Sequence, residues 1–181
     1  MAKVTVFCGS ATPRDPRLLE ESRALGRLLA ATGLELVYGG SRIGLMGACA
    51  DAALDAGGVV HGVLPRRLQD RELAHQRLSS LRLTDTMAER KDLLLSDGDA
   101  YVTLPGGYGT LDELFEVLTM AQLGYHERPC YLVNSLGYYD GLVMFLDRAY
   151  QEGLVRAEHR PLCRVVPSVA ALGEELRGLA G

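Results

Sequence analysis

Residues 100–118 limit what this chain can fold into more than any other part of the sequence. A short apolar run, residues 100–104, precedes a glycine-rich turn at residues 105–110, and from Leu111 onward apolar residues recur at helical spacing. A continuous apolar run of this length is typical of a strand that is buried on both faces of a parallel sheet. The stretch therefore predicts a strand, a tight turn and a helix.

The glycine turn also predicts an anion-binding site. Gly106, Gly107 and Gly109 have no Cβ, so their backbone N–H groups can approach a ligand closely. The helix that follows directs its free N–H groups and the positive end of its dipole at the same place. We expect this site to bind phosphate, with Thr110 at the start of the helix.

The rest of the chain repeats the alternation of strand and helix. Strands are predicted at residues 3–8, 34–38, 59–64, 81–83, 100–104, 129–134 and 163–166. Helices are predicted at residues 13–32, 48–56, 86–96, 111–124, 138–153 and 168–179, and residues 65–80 have no predicted element. This alternation indicates an α/β protein, residues 1–181 as a single domain, with a doubly wound parallel sheet covered by helices on both faces.

Three glycine turns follow predicted strands, at Gly9, at Gly39-Gly40 and at Gly106-Gly107. In doubly wound sheets, ligands bind beyond the carboxyl ends of the strands. We therefore expect the three turns to line one crevice. Neither the GxGxxG pattern of dinucleotide sites nor GxxxxGK[ST] occurs in these turns, so a mononucleotide or a sugar phosphate fits better than a dinucleotide.

The composition excludes several classes of partner. The formal net charge of −4 and the pI of about 5.6 do not match a nucleic-acid-binding protein, and no apolar run is long enough to span a membrane. The four cysteines are widely spaced, so neither a disulfide framework nor a metal site is predicted, and no cofactor motif is present. The first residues lead directly into a strand without the pattern of a signal peptide, which predicts a cytoplasmic protein.

Two charged side chains at helical positions are candidates for chemistry. Glu113 can face the crevice, but it also fits a capping box in which its carboxylate binds the backbone of Thr110, and the spacing leaves both interpretations open. Arg90 shares a helical face with Met87 and Leu94. It is either a long side chain that reaches solvent or an arginine that holds a phosphate or a developing charge.

Nearby charges have similar alternatives. Lys91 is either a surface charge or a second cation for the phosphate, and Glu116 is either a second carboxylate of the site or a solvated residue. Arg42 lies in the second glycine turn, where an arginine is usually solvated, although this turn is expected to border the crevice.

Several motifs together resemble the LONELY GUY (LOG) family of cytokinin-activating nucleoside 5'-monophosphate phosphoribohydrolases, which are often labelled lysine decarboxylases. The resemblance covers nearly the whole chain and is carried by the following segments: Tyr38-Gly39-Gly40, Gly44-Leu45-Met46-Gly47, Glu89-Arg90-Lys91, residues 104–113 with the PGGxGTxxE pattern, and Gln122-Leu123-Gly124. The chain has Ser41, Asp112 and Met120 where the family commonly has glycine, glutamate and tryptophan, differences that bear on base preference and pocket shape.

The resemblance implies a Rossmann-like homodimer that binds AMP or an N6-modified AMP and cleaves its N-glycosidic bond, which releases the free base and ribose 5-phosphate. It implies that Arg90 and Glu113 are the catalytic pair. The residues expected to bind substrate or phosphate are Gly39, Gly40, Lys91, Gly106, Gly107, Gly109, Thr110 and Glu116. The alternative from another class is a protein that carries a nucleotide or a phosphorylated cofactor without cleaving it.

Overall fold

The structure is a computed structural model that describes residues 1–69 and 74–179. Within these residues the strands are β1 Lys3–Phe7, β2 Glu35–Tyr38, β3 Val60–Pro65, β4 Ser80–Thr84, β5 Ala100–Thr103, β6 Cys130–Val133 and β7 Cys163–Val166. The α-helices are α1 Pro16–Ala31, α2 Gly44–Asp55, α3 Met87–Asp97, α4 Tyr108–Gln122, α5 Asp140–Gln151 and α6 Val169–Leu176. Short 3₁₀ helices span Arg66–Leu68, Ser135–Gly137, Ala157–Leu162 and Arg177–Leu179.

The seven strands form one sheet in the order β4-β3-β2-β1-β5-β6-β7, and every pairing is parallel. The strand order reverses between β1 and β5. In sheets of this kind the crevice at such a switch point is the usual place for a ligand. The predicted doubly wound fold is confirmed.

The helices cover the sheet in two layers. Helices α1, α2 and α6 pack on one face over a large apolar cluster, and α3, α4 and α5 pack on the other face over two smaller clusters. Helices α1 and α2 approach very closely at Gly26, which has no side chain. A Cβ at this position would lie 2.2 Å from the carbonyl oxygen of Cys49. In the described chain, every helix falls short of the length and hydrophobicity that a membrane crossing requires.

Most predicted elements are present, with shifted ends. The short strand predicted at residues 81–83 is real and one residue longer at each end. Helix α4 begins at Tyr108, three residues before the predicted start at Leu111. The apolar pattern misses its first turn, because Tyr108 and Gly109 contribute nothing to that pattern. The last predicted helix ends at Leu176 and continues as a 3₁₀ turn. Residues 70–73 of the segment without a predicted element lie outside the described residues.

The turn after β1 joins the two other glycine turns. The N–H of Gly9 donates to the carbonyl oxygen of Pro105 (3.1 Å), and the carbonyl of Gly9 accepts from the N–H groups of Leu45 (3.1 Å) and Met46 (3.2 Å). One residue therefore ties the turn after β5 to the first turn of α2. The three turns lie together, as the sequence predicts.

Candidate active site

The first turn of α4 presents free backbone donors. Gly107 is its N-cap residue and provides no side-chain cap. Among the described residues, no protein group accepts from the N–H groups of Tyr108, Gly109 or Thr110. A Cβ on Gly107 or Gly109 would meet no atom within 4 Å, so the space in front of these donors is open. Free N–H groups at the positive end of a 15-residue helix form a site for an anion.

Side chains behind the loop hold its shape. The hydroxyl of Thr110 lies against Gly106, where a Cβ would come within 2.0 Å of its Oγ1 atom. From the helix α5 side, Tyr138 donates its hydroxyl to the carbonyl oxygen of Gly106 (2.8 Å), and Tyr139 donates to that of Leu104 (2.8 Å). The contact with Thr110 and the two tyrosine hydrogen bonds therefore hold the loop in one conformation. The sequence gives no sign of these hydrogen bonds, because the loop lies 32 residues away from Tyr138.

A buried ion pair lies beside this loop. Arg90 of α3 and Glu113 of α4 are each 5 % exposed, and Arg90 Nη1 lies 3.4 Å from Glu113 Oε1. Arg90 also donates from Nε to the carbonyl oxygen of Val63 (3.1 Å) and from Nη2 to that of Gly39 (3.4 Å). Two backbone carbonyls at the carboxyl ends of β3 and β2 thus aim the guanidinium at the crevice. Its remaining N–H groups are available to a substrate.

The position of the helix start decides between the two interpretations of Glu113. Since Gly107 is the N-cap, Thr110 is the third helical residue, and a capping box between Thr110 and Glu113 is excluded. A capping box does occur one helix earlier, where Thr86 and Glu89 exchange hydrogen bonds at the start of α3. Glu113 is instead paired with Arg90.

Lys91 bridges α3 and α4 through carboxylates. Its ammonium lies 2.9 Å from Glu116 Oε2 and 3.2 Å from Asp112 Oδ2. The hydrogen bond to Glu116 is the main cause that raises the pKa of Lys91, so this cation stays charged at neutral pH. Glu116 is therefore a partner of Lys91, and Lys91 lies beside the second and third turns of α4.

The turn after β2 shapes the other side of the crevice. A Cβ on Gly39 would lie 2.2 Å from Arg90 Nη2, so this position must be glycine for the guanidinium to sit where it does. Gly40 has a φ of +80°, and its carbonyl accepts from the N–H of His75 (3.0 Å). Arg42 is exposed, as expected for a loop arginine.

Cys8, the residue after β1, is buried. Burial is the largest cause that raises the pKa of the Cys8 thiol well above its usual range, with smaller contributions from the nearby charges of Cys49 and Glu113. In the described part of the chain, no three His, Cys, Asp or Glu side chains lie close enough together to hold a metal ion.

Known proteins resemble this chain in sequence and in fold. A family model described as possible lysine decarboxylase matches residues 46–176. A cytokinin riboside 5'-monophosphate phosphoribohydrolase of Rhodococcoides fascians is 45 % identical over 153 residues, which cover 84 % of this chain and 77 % of the relative. A protein of Arabidopsis thaliana with the same activity in its name is 39 % identical over 178 residues, 98 % of this chain and 83 % of the relative.

Among solved structures, the molybdenum cofactor binding protein of Rippkaea orientalis has the same fold. The two chains superimpose with a TM-score of 0.76 over 99 % of this chain and 98 % of the other, at 20 % sequence identity. At this identity the likeness shows the fold alone.

Proposed function

We propose that this chain, which belongs to the LONELY GUY (LOG) family of cytokinin riboside 5'-monophosphate phosphoribohydrolases, carries out its reaction at the Arg90–Glu113 pair. It is an enzyme of this family. The reaction hydrolyses the bond between C1' of the ribose and the base nitrogen. Water adds its oxygen to C1', the bonding electrons leave with the base, and the products are the free base and ribose 5-phosphate.

We assign to Glu113 the activation of the water that attacks C1'. As the bond to the base breaks, positive charge develops on the ribose ring, as it does in glycoside hydrolysis. A carboxylate in a dry site stabilises this charge strongly and can accept a proton from the attacking water. Glu113 is 5 % exposed and held in place by Arg90, so it meets both requirements.

We assign orientation of the substrate and help to the departing base to Arg90. The carbonyls of Val63 and Gly39 fix its guanidinium and leave part of its donor set free. A fixed, permanently charged donor can bind the substrate or stabilise the negative charge that develops on the leaving base. Gly39 contributes by giving the guanidinium the room it occupies, and Gly40, whose φ is +80°, turns the chain directly after it.

We assign the 5'-phosphate to the first turn of α4. The N–H groups of Tyr108, Gly109 and Thr110 donate hydrogen bonds to the phosphate oxygens. Contact between Gly106 and Thr110 holds the loop in shape. Lys91, held by Glu116, adds a positive charge to the same end of the helix. Binding energy from the phosphate, remote from the bond that breaks, then positions C1' at Glu113.

The observation that supports this assignment best is the buried Arg90–Glu113 pair directly beside an open anion site. The test is to incubate the protein with AMP, with isopentenyladenosine 5'-monophosphate and with the two unphosphorylated nucleosides, and to measure the free base by chromatography. We expect base only from the monophosphates. Binding of intact nucleotides without release of base would favour a carrier protein instead.

The description of the family model as a possible decarboxylase is not supported by the lysines of this chain. Amino-acid decarboxylation with pyridoxal phosphate needs a lysine that forms a Schiff base from its neutral amine. The sequence contains only Lys3 and Lys91. Lys3 begins β1, at the edge opposite to the crevice, and the pKa of Lys91 is raised by its carboxylate partners. We expect no absorbance of an internal aldimine after incubation with pyridoxal phosphate.

We also propose that the chain forms a homodimer through the outer face of α4 and α5. Phe145 of α5 is 61 % exposed, and Phe115 of α4 is 36 % exposed and lines an apolar groove between α4, α5 and the segment that follows α5. Exposed apolar patches of this kind are typical of protein interfaces. Light scattering during size-exclusion chromatography tests the dimer, and Phe145→Glu should shift the mass to that of a monomer.

We also propose a cytoplasmic location, which fits four cysteines that are all free thiols.

A further inference from the structure

Residues 74–77 connect the turn after β2 to helix α2. The backbone N–H of His75 donates to the carbonyl oxygen of Gly40 (3.0 Å). The residue before Gly40 is Gly39, whose carbonyl oxygen accepts from Arg90 Nη2 (3.4 Å). The segment therefore lies against the turn that aims the guanidinium of the proposed catalytic pair.

The side chain of His75 attaches this segment to α2. It is 5 % exposed, its Nε2 lies 3.2 Å from Asp51 Oδ1, and its Nδ1 lies 3.2 Å from the backbone nitrogen of Arg77. Because a backbone N–H can only donate, Nδ1 must accept, and the proton of the neutral imidazole is on Nε2, which donates it to Asp51. Both ring nitrogens are therefore used, and the hydrogen bond to Arg77 exists only while the imidazole is neutral.

Among the described residues, the charged groups that face the ring are Arg77 of its own segment and two aspartates of α2. The Arg77 guanidinium lies 3.2 Å from Asp51 Oδ1 and 2.5 Å from Asp55 Oδ1. These side chains are about half exposed, and exposed ion pairs contribute little stability. On β2, burial raises the pKa of the Tyr38 phenol, which lies near Asp51, well above its usual range, so it stays neutral. The buried imidazole is therefore the group whose charge decides whether the segment stays attached.

We propose that His75 is a positioning residue for Arg90 and that the enzyme needs this imidazole in its neutral form. Protonation of Nδ1 places an N–H against the N–H of Arg77, which breaks that hydrogen bond and loosens the segment. The carbonyl of Gly40 then loses its donor, and the neighbouring Gly39 carbonyl no longer fixes the guanidinium. Imidazoles titrate between about pH 5 and 8, so we expect the effect in this range. The inference rests on the proposed role of Arg90 in the reaction.

The test is kcat for AMP in His75→Ala as a function of pH. At about pH 8 we expect kcat to fall roughly tenfold, because a small misplacement of a catalytic group costs up to about 10²-fold. KM should stay within about twofold of the wild type, since the phosphate loop is unchanged and supplies the remote binding energy. Toward about pH 5, where the wild-type ring is charged as well, the two kcat values should converge. A merely structural role predicts a constant ratio.

Two further comparisons isolate the hydrogen bond. Asp51→Asn keeps an oxygen that accepts from Nε2 and should retain most of the wild-type kcat, whereas Asp51→Ala should behave like His75→Ala. Both Asp51 variants remove the same charge from Arg77. The matched control is His61→Ala, because His61 also pairs with a carboxylate, Glu35 (2.8 Å), but lies near the start of β3, away from the crevice. Its kcat should equal that of the wild type.

The outcomes separate this inference from the proposed function. If the wild type releases base and His75→Ala has an unchanged kcat, or a kcat reduced by the same factor at every pH, His75 does not position Arg90, and the proposed function stands. If the wild type releases no base, the proposed function is wrong, and the ¹⁵N–¹H NMR signal of Arg90 Nε, which donates to the Val63 carbonyl, replaces kcat. That signal should shift in His75→Ala but not in His61→Ala, and an unchanged signal in His75→Ala overturns the inference as well.

Discussion

Two units of the chain have the same order of strand, glycine turn and helix but differ in structure. We call β2 to α2 the second unit and β5 to α4 the central unit. In the second unit, β2 to α2, the protein itself occupies the helix start: the N–H groups of Leu45 and Met46 both donate to the Gly9 carbonyl. A Cβ would lie 2.3 Å from the Ser10 carbonyl oxygen at Gly44 and 2.1 Å from the Arg42 carbonyl oxygen at Gly47. Those glycines are needed for packing.

In the central unit, β5 to α4, no group of residues 1–69 or 74–179 accepts from the corresponding donors or approaches a Cβ placed on Gly107 or Gly109. A glycine-rich turn before a helix is therefore an anion site only when nothing in the protein satisfies the helix start. The comparison assigns ligand binding to the central unit and structural support to the second one, and each prediction below tests that division.

The largest expected effect is that of Glu113→Gln in the central unit. We expect turnover of AMP to fall by roughly 10²–10⁴-fold, the usual contribution of a general base, because the amide can neither accept the proton nor offset the charge on the ribose. Base release measured by chromatography checks this, with circular dichroism to confirm the fold. Glu127→Gln, an exposed change beyond the end of α4, is the matched control. Full turnover in a folded Glu113→Gln protein would show that the reaction lies elsewhere.

The next effect concerns stability and belongs to the second unit. In Gly47→Ala the new methyl would lie 2.1 Å from the Arg42 carbonyl oxygen. We expect the free energy of unfolding in urea to drop by about 1–3 kcal/mol, the usual cost of overpacking. A variant as stable as the wild type would mean that the turn yields easily and that the contrast between the units is weaker than stated.

The counterpart in the central unit is Gly109→Ala. No atom lies within 4 Å of the added Cβ, so stability should stay the same or rise by about 0.4–1 kcal/mol. The methyl intrudes where the phosphate binds, and we expect KM for AMP to rise by roughly tenfold, the loss of about one hydrogen bond to a charged group. Unchanged KM, with the stability of the wild type, would remove Gly109 from the phosphate site.

The dryness of the second unit predicts a pH effect. Burial raises the pKa of Cys49, in α2, to about 12, whereas an unfolded cysteine ionises near roughly 8.5. Since the folded pKa is the higher one, the stabilisation is complete below the unfolded pKa and is lost as pH rises toward the folded value. The free energy of unfolding should therefore fall as pH rises above about 9. Cys49→Ala should reduce that slope, and an unchanged slope would contradict the assignment.

The smallest effect is expected for Lys91→Ala. Its ammonium is shared between Glu116 and Asp112 and makes only a partial contribution to the charge of the phosphate site. We expect KM for AMP to rise about two- to threefold, within the ~0.2–1 kcal/mol of an exposed ion pair. A rise of a hundredfold would instead make Lys91 a direct ligand of the phosphate.

Local patterns predict the fold well because each buried strand and each amphipathic helix is specified by its own residues. The parallel sheet and the glycine loop after β5 follow from such patterns. The difference between the two glycine units does not, because the acceptor for Leu45 and Met46 is Gly9, far away in sequence. The same limit applies to the hydroxyls of Tyr138 and Tyr139 and to the capping-box alternative for Glu113, which depended on where the helix begins.

The hydrogen bonds of Gly9 affect the order in which the molecule assembles during synthesis. The carbonyl of Gly9 can accept its hydrogen bonds once α2 has formed, within the first third of the chain. The N–H of Gly9 can donate only after Pro105 has been synthesised. The crevice between the glycine turns therefore forms only after β5 has been made and has paired with β1. Contacts over such a distance in sequence form slowly. A chain still growing on the ribosome would carry a finished second unit well before it could hold a nucleotide.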